Sequence, residues 1–189
     1  MLYVDDTVTA CTPAMLENLL DELPAWRRAV VDRIGPEQSK LLSTMAFILL
    51  QRALREEFGI AEVPEFAFGE RGKPYLPDFP DIHFNLSHCP QAVACAVARH
   101  PVGVDVERIR PYNDRLARYI ASDAEYRAIT SHPSPAEAFA ALWTRKEACC
   151  KLSGQGIPGQ EKLRSLLTPP PCRLTTAIHP TYAITLAQP

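Results

Sequence analysis

The chain has 189 residues, of which 47% are hydrophobic and 22% charged, and its formal net charge is −2. This composition is that of a globular protein, and the length allows one large domain or two small ones with a sizeable buried core. A nearly balanced charge gives no support for binding to nucleic acid, so we expect no such partner.

The sequence shows no sign of secretion or of membrane insertion. Residues 1–20 contain no Lys or Arg, so they do not resemble a signal peptide. Apolar runs such as Met45–Leu50 are far too short to span a bilayer. The six cysteines form no C-x-x-C pair, which favours free thiols in a reducing compartment. We therefore expect a cytoplasmic protein.

Hydrophobic periodicity predicts two successive stretches, each with one long helix and several short strands. In the first stretch the predicted elements are a strand at 1–8, helices at 24–33 and 36–58, a strand at 64–68, a loop at 69–80, and strands at 82–86 and 91–98 joined by a turn at 87–90. In the second stretch they are a strand at 102–106, helices at 114–120, 122–130 and 135–152, and strands at 173–177 and 181–187. This order predicts an α+β fold made of two similar halves, residues 1–100 and 101–189.

Two short motifs carry acidic side chains at spacings that place them on common faces. Side chains alternate along a strand, so Asp105 and Glu107 point the same way. Residues four apart share a helix face, so Glu147 and Lys151 point together. If these faces meet, three carboxylates and one ammonium group form a site for a hard cation. Each pair also has a plainer interpretation, the polar face of an edge strand or an ordinary surface ion pair.

Two further patterns do not lead to the chemistry that they superficially suggest. Ser87 and His88 lie side by side, but nothing in the sequence indicates the orienting acid and oxyanion hole of a nucleophilic hydrolase. The glycines at 154, 156 and 159 follow a helix rather than a strand, which is the wrong context for a dinucleotide-binding loop.

The motifs together resemble those of the 4'-phosphopantetheinyl transferases, specifically the surfactin-type branch, in which two halves form a pseudo-dimer within one chain. The resemblance lies in Gly103-Val-Asp-Val-Glu107, in the Trp-x-x-Lys-Glu-Ala-x-x-Lys pattern of 143–151, and in three smaller pieces. The smaller pieces are Gly-Lys-Pro at 72–74, Asn-x-Ser-His at 85–88 and Gly-x-Gly at 154–156. They occur in the family's order between about Lys40 and Ile157.

The resemblance implies a reaction, a fold and a set of ligands. These enzymes move the phosphopantetheine arm of coenzyme A to a serine of an apo carrier protein and release 3',5'-ADP, which is holo-[acyl-carrier-protein] synthase activity. It implies an active site in the cleft between two pseudo-symmetric halves, a Mg²⁺ cofactor, and a monomer. Metal ligands would be Asp105, Glu107 and Glu147, and the catalytic set would be Glu147, Lys151 and Asp105. Because a metal-bound carboxylate is a poor base, whether Glu147 or a metal-bound water takes the serine proton is left open.

The resemblance also implies a set of coenzyme A contacts in the first half of the chain. Lys73 would contact a phosphate, and His88 would bind the 3'-phosphate with help from Ser87. Arg27 and Lys40 would reach the nucleotide phosphates, although solvated helix charges are an equal alternative for these two. Which carrier protein is modified is left open, as are two other functions: a binding module for carrier proteins or coenzyme A, and a metal-dependent hydrolase of coenzyme A or nucleotides.

Overall fold

Two long helices and two three-stranded sheets form the framework of the protein, and the computed structural model describes all of residues 1–189. The strands are β1 (Leu2–Asp5), β2 (Ala67–Phe68), β3 (Pro74–Tyr75), β4 (His83–Cys89), β5 (Ala92–Ala98), β6 (Gly103–Arg108), β7 (Arg173–Ile178) and β8 (Tyr182–Gln188). The helices are α1 (Pro13–Asp21), α2 (Ala25–Asp32), α3 (Glu37–Phe58), α4 (Asp114–Ile120), α5 (Asp123–Thr130), α6 (Pro135–Ser153) and α7 (Gln160–Ser165). The fold is therefore α+β, as the sequence predicts.

The two sheets have the same connectivity. The first has the strand order β1-β5-β4 and the second the order β6-β8-β7, and every pairing is antiparallel. In each sheet the chain runs through an edge strand, a long helix and then a hairpin, whose last strand inserts in the centre. Helix α3 packs on the first sheet and α6 on the second.

Strand β5 shows how the sequence positions both layers of the core. All seven of its residues are buried, and its side chains alternate between faces. Val93, Cys95 and Val97 belong to the cluster that contains the apolar side of α3. The intervening alanines at 92, 94, 96 and 98 belong to a second cluster, which includes the valines of β6. Small residues on this face allow the two halves to approach closely.

The edge strands β4 and β6 meet without pairing main chain to main chain. The amide of Val104 donates to Asn85 Oδ1 at 2.8 Å, and the amide of Val106 donates to Ser87 Oγ at 3.2 Å. Two polar side chains of β4 therefore satisfy two buried amides of β6 that would otherwise lack partners. We call this contact between β4 and β6 the seam.

Most predicted elements are present, with corrections at their ends. The turn predicted at 87–90 was wrong, because Ser87 and His88 continue β4 and pair with Ala94 and Val93. The strand predicted at 64–68 is reduced to Ala67–Phe68, and the one predicted at 1–8 ends at Asp5 in a 3-10 turn. The prediction also omitted α1 and α7, although Thr12 caps α1 and Pro13 begins it.

None of the helices combines the length and the apolar character needed to cross a membrane.

Gly103 is the position at which α6 comes closest to β6, and it gives the first prediction. A Cβ there would lie 2.2 Å from the carbonyl oxygen of Ala148 and 2.5 Å from the amide of Leu152. Both are backbone atoms and cannot rotate away, so Gly103→Ala should lower the free energy of unfolding by about 1–3 kcal/mol. Urea titration measures this loss. Gly35→Ala, where a Cβ meets nothing within 4 Å, is the matched control and should change little.

Candidate functional site

Three side chains form a closed set of hydrogen bonds where the seam meets α6. The ammonium group of Lys151 donates to Asp105 Oδ1 at 2.6 Å and to Ser87 Oγ at 2.9 Å. The Ser87 hydroxyl in turn donates to the same Asp105 oxygen at 2.9 Å. This cluster, called the seam triad below, brings together β4, β6 and α6. The strand face and the helix face, whose meeting the sequence left as a condition, are in contact through Asp105 and Lys151.

The second oxygen of Asp105 is left without a partner. The residue is only 4% exposed, and Oδ2 is buried with no hydrogen bond. An orphaned carboxylate oxygen in a buried position is costly unless a cation or donor satisfies it. The atom is therefore a position at which a ligand of positive charge would be stabilised.

Two glutamates, Glu107 and Glu147, interact electrostatically with the Asp105 carboxylate. Burial raises the pKa of Glu107 and of Glu147, and the negative charge of Asp105 raises each further. Glu107 also contributes to the raised pKa of Glu147. The three carboxylates are therefore close enough to repel one another, and a divalent cation would relieve that repulsion.

The side chains as placed do not form a ready-made metal cage. No group of three or more His, Cys, Asp or Glu residues is arranged to hold an ion. In addition, Lys151 already forms a salt bridge with Oδ1 of Asp105. The oxygen-only donor set and the orphaned Oδ2 nevertheless fit a hard cation such as Mg²⁺, which is commonly bound through one or two carboxylates together with waters and phosphates.

A cavity of about 170 Å³ adjoins the seam triad and is lined by residues of four of the five sequence motifs, whereas Asp105 and Glu107 of the fifth do not line it. Its lining includes Lys73, Asn85, Glu147, Lys151, Gly154 and Gly156. These residues come from the Gly-Lys-Pro loop, from β4, from α6 and from the loop after α6. The motifs that are far apart in sequence are thus brought together at one opening.

Lys73 serves first as a cap for α6. Its ammonium group donates to the carbonyl oxygens of Lys151 at 2.6 Å, Leu152 at 3.0 Å and Val102 at 3.3 Å. Gly154, with φ of 69°, ends the helix and lets the Lys73 side chain pass close by. Burial lowers the pKa of Lys73. All three donors are in use, so a phosphate contact by Lys73 would require one of these bonds to break.

Ser87 and His88 lie on opposite faces of β4, because they are consecutive residues of a strand. The Ser87 hydroxyl donates once and accepts twice, which exhausts its capacity and leaves none for a phosphate. The side chain of His88 reaches solvent. The protein around the ring nevertheless displaces part of its water, and this desolvation, followed by the charge of Lys151, lowers the pKa of His88. The expectation that the two residues act on one phosphate side by side therefore does not match their placement.

Arg27 and Lys40 lie in the helical layer of the first half and do not line the cavity. Arg27 donates to the backbone and hydroxyl of Ser43 at 3.0 and 2.7 Å, and its guanidinium lies over the Phe47 ring. Burial lowers its pKa. Lys40 is half-buried on the first turn of α3. Arg27 thus has a structural role, which neither sequence interpretation anticipated.

Lys146 is a residue that sequence reasoning did not single out. Its side chain is fully buried, with Nζ 2.9 Å from Glu125 Oε2 and 2.6 Å from the carbonyl oxygen of Leu163. The Glu125 carboxylate also accepts from the amide of Ser122 as part of a capping box. One ammonium group therefore ties α6 to α5 and α7. A lysine directly before Glu147 gives no signal of burial in the sequence.

Comparison with known proteins gives the same assignment as the motifs. Residues 101–183 match the model of the 4'-phosphopantetheinyl transferase superfamily. A 4'-phosphopantetheinyl transferase named AcpT from Salmonella typhi is 33% identical over 138 residues, which cover 68% of this chain and 69% of that protein.

The chain belongs to the 4'-phosphopantetheinyl transferase superfamily.

Bacillus relatives place this chain in the Sfp-type branch of the superfamily. A 4'-phosphopantetheinyl transferase from Bacillus subtilis is 34% identical over 144 residues, or 75% of this chain and 64% of that protein. The 4'-phosphopantetheinyl transferase Sfp from Bacillus subtilis strain 168 is 36% identical over 94 residues, or 49% of this chain and 42% of Sfp. The matched region thus spans less than two thirds of these two relatives.

The buried Lys146–Glu125 pair gives the second prediction. Lys146→Ala leaves the Glu125 carboxylate without its cation, so it should cost the protein about 3–5 kcal/mol of stability. The 16% exposure of the Glu125 side chain places the loss toward the lower end.

A double variant separates loss of the charge pair from loss of packing. In Lys146→Met/Glu125→Gln both charges are absent, methionine fills the volume, and glutamine retains the capping bond. Its free energy of unfolding should recover most of the loss seen in Lys146→Ala. A double variant no more stable than Lys146→Ala would contradict the charge-pair interpretation.

Proposed function

We propose that the protein transfers the 4'-phosphopantetheine arm of coenzyme A to a serine of an apo carrier protein and releases 3',5'-ADP. The observation that carries this proposal is the assembly of four separate motifs around one cavity, with Lys151 and Glu147 on its wall. Membership of the transferase superfamily supports the reaction class.

We place coenzyme A in a cleft between two pseudo-symmetric halves, residues 1–100 and 101–189. The common connectivity of the two sheets supports this division. The cavity also draws its lining from both halves, with Lys73 and Asn85 on one side and Glu147 and Lys151 on the other. Because a single chain supplies both sides, the unit that acts is a monomer.

Lys151 is the phosphate-binding lysine in this proposal. An ammonium group has three donors, and Lys151 uses two of them on Ser87 and Asp105. Its side chain is 28% exposed, so the third can reach a phosphate oxygen. Lys73, whose donors are all occupied, instead holds the end of α6 so that Lys151 stays in position.

Glu147 takes the proton of the incoming serine. Its carboxylate takes part in none of the protein's salt bridges and lines the cavity. The serine oxygen forms a bond to the β-phosphorus of coenzyme A, and the bond from that phosphorus to the oxygen bridging to 3',5'-ADP breaks. Lys151 then stabilises the charge that develops on the departing phosphate.

Asp105, Glu107 and Glu147 would hold Mg²⁺. When bound, Mg²⁺ would neutralise charge on the pyrophosphate as a Lewis acid. The chain's own contribution is the orphaned Oδ2 of Asp105, which Ser87 and Lys151 hold in place through the other oxygen. This arrangement keeps one carboxylate oriented before any ligand arrives.

The decisive experiment is a mass-spectrometric assay of purified protein with coenzyme A and apo carrier proteins of fatty acid, polyketide and nonribosomal peptide type. At least one carrier should gain the mass of the phosphopantetheine arm.

The third prediction concerns Glu147. Glu147→Gln should fold normally, since Glu147 makes no salt bridge, yet lower the rate of transfer in this assay by roughly 10²–10⁴-fold if Glu147 is the general base.

The same assay tests the two rival functions. Free phosphopantetheine released without a carrier would identify a hydrolase. Binding of coenzyme A or carrier with no product in any mixture would identify a binding module. Either result would overturn the transfer reaction.

Metal removal gives the fourth prediction. Protein treated with EDTA and then freed of the chelator should lose transfer activity, because three mutually repelling carboxylates would face a pyrophosphate with no cation between them. Added Mg²⁺ should restore it. Full activity of the metal-free protein would rule out the metal role of these carboxylates.

The fifth prediction concerns the 3'-phosphate of coenzyme A, which we assign to His88. At a pH below the pKa of His88, where the imidazole is protonated, His88→Ala should raise the KM for coenzyme A by roughly 10–150-fold, equivalent to a charge-assisted bond of about 1.5–3 kcal/mol, and leave dephospho-coenzyme A unaffected. Because desolvation lowers that pKa, the difference between wild type and variant should shrink as pH rises and grow as pH falls. Equal losses with both substrates would refute the assignment.

A further inference from the structure

Two cysteines lie against each other on the side of α6 that faces away from the proposed active site. The Sγ atoms of Cys149 and Cys172 are 3.3 Å apart, and neither thiol is in a disulfide. Cys149 lies midway between Glu147 and Lys151 in sequence. Because an α-helix has 3.6 residues per turn, a residue two positions from each lies roughly opposite to both.

The two thiols are accessible from one open cavity of about 940 Å³, which Cys150 also lines. Cys149 is buried, whereas Cys172 is only partly covered and follows Pro171 at the wall of this cavity. A small solute in the cavity would therefore meet Cys172 first. Cys149, already in contact with it, would be the second thiol to react.

We propose that Cys149 and Cys172 form a modification site at which a peroxide converts two thiols into a disulfide that links α6 to the start of β7. The Cys172 sulfur attacks one oxygen of hydrogen peroxide, the O–O bond breaks, and water leaves, which produces a sulfenic acid. The Cys149 sulfur then attacks the Cys172 sulfur. The S–O bond breaks, the hydroxide takes the proton of Cys149 and leaves as a second water. Two thiols are oxidised by two electrons, and one peroxide is reduced to two waters.

The cross-link closes a segment whose ends are 23 positions apart and which includes α7. Closing it restricts the unfolded chain, while the folded protein already holds the two sulfurs together. Oxidation should therefore leave the fold intact and raise Tm by roughly 5–10 °C. This site does not depend on the proposed transfer reaction, and neither readout below uses activity.

The test treats the native protein with hydrogen peroxide, alkylates the remaining thiols, and maps peptides without reduction. The expected product joins the peptides of Cys149 and Cys172, lacks two hydrogen atoms, and disappears with dithiothreitol, and Tm returns to its starting value. Cys150→Ser is the matched control, because Cys150 is the neighbour of Cys149 and lines the same cavity. It should keep both the cross-link and the rise in Tm.

Cys172→Ser should abolish the cross-link and the rise in Tm, and its partly exposed position favours normal folding. A disulfide from Cys150 to Cys172, a disulfide between two molecules, or oxidation of Cys172 beyond the sulfenic acid with no cross-link would each overturn the proposal. A mapped Cys149–Cys172 cross-link without any change in Tm would overturn the claim that the cross-link stabilises the folded protein.

Discussion

The salt bridge between Lys151 and Asp105, shared with the Ser87 hydroxyl, is the contact on which the arrangement of the site depends. It joins α6, β6 and β4 through three short hydrogen bonds in a place where Asp105 is almost fully buried. A buried carboxylate must be paired to be tolerated, and here the pairing atoms come from β4 and from α6. The geometry that satisfies Asp105 is therefore also the geometry that holds the two three-stranded sheets against each other.

The three lysines near α6 differ in burial and in hydrogen-bond partners, and their roles differ accordingly. Lys146 is fully buried, and its charge is taken up by Glu125 and two backbone carbonyls. Lys73 is half-buried and caps the end of α6. Lys151 alone retains both exposure and an unused donor. The same side chain thus serves as a buried ion-pair partner or as a helix cap, and in our proposal as a phosphate contact, according to how much water and how many acceptors surround it.

Local pattern predicted the long helices and most strands because apolar spacing and end signals agree there. Helix α3 ends at Gly59, and α5 begins at the capping box of Ser122, both as expected. The error at Ser87 and His88 has a physical cause. Ser, His and Pro favour a turn locally, but pairing with β5 extends the strand to Cys89 and moves the turn to Pro90 and Gln91.

The sequence by itself determined that Asp105 and Glu107 share one face of a strand and that Glu147 and Lys151 share one face of a helix, because these faces follow from the strand and helix periods alone. Only the tertiary structure decided which hydrogen-bond partners the neighbouring side chains have. Ser87 accepts from an amide of β6 at the seam, Lys73 caps the end of α6, and one oxygen of Asp105 has no partner. The reason is that hydrogen-bond capacity is limited and is distributed among neighbours in space, which a one-dimensional pattern does not contain.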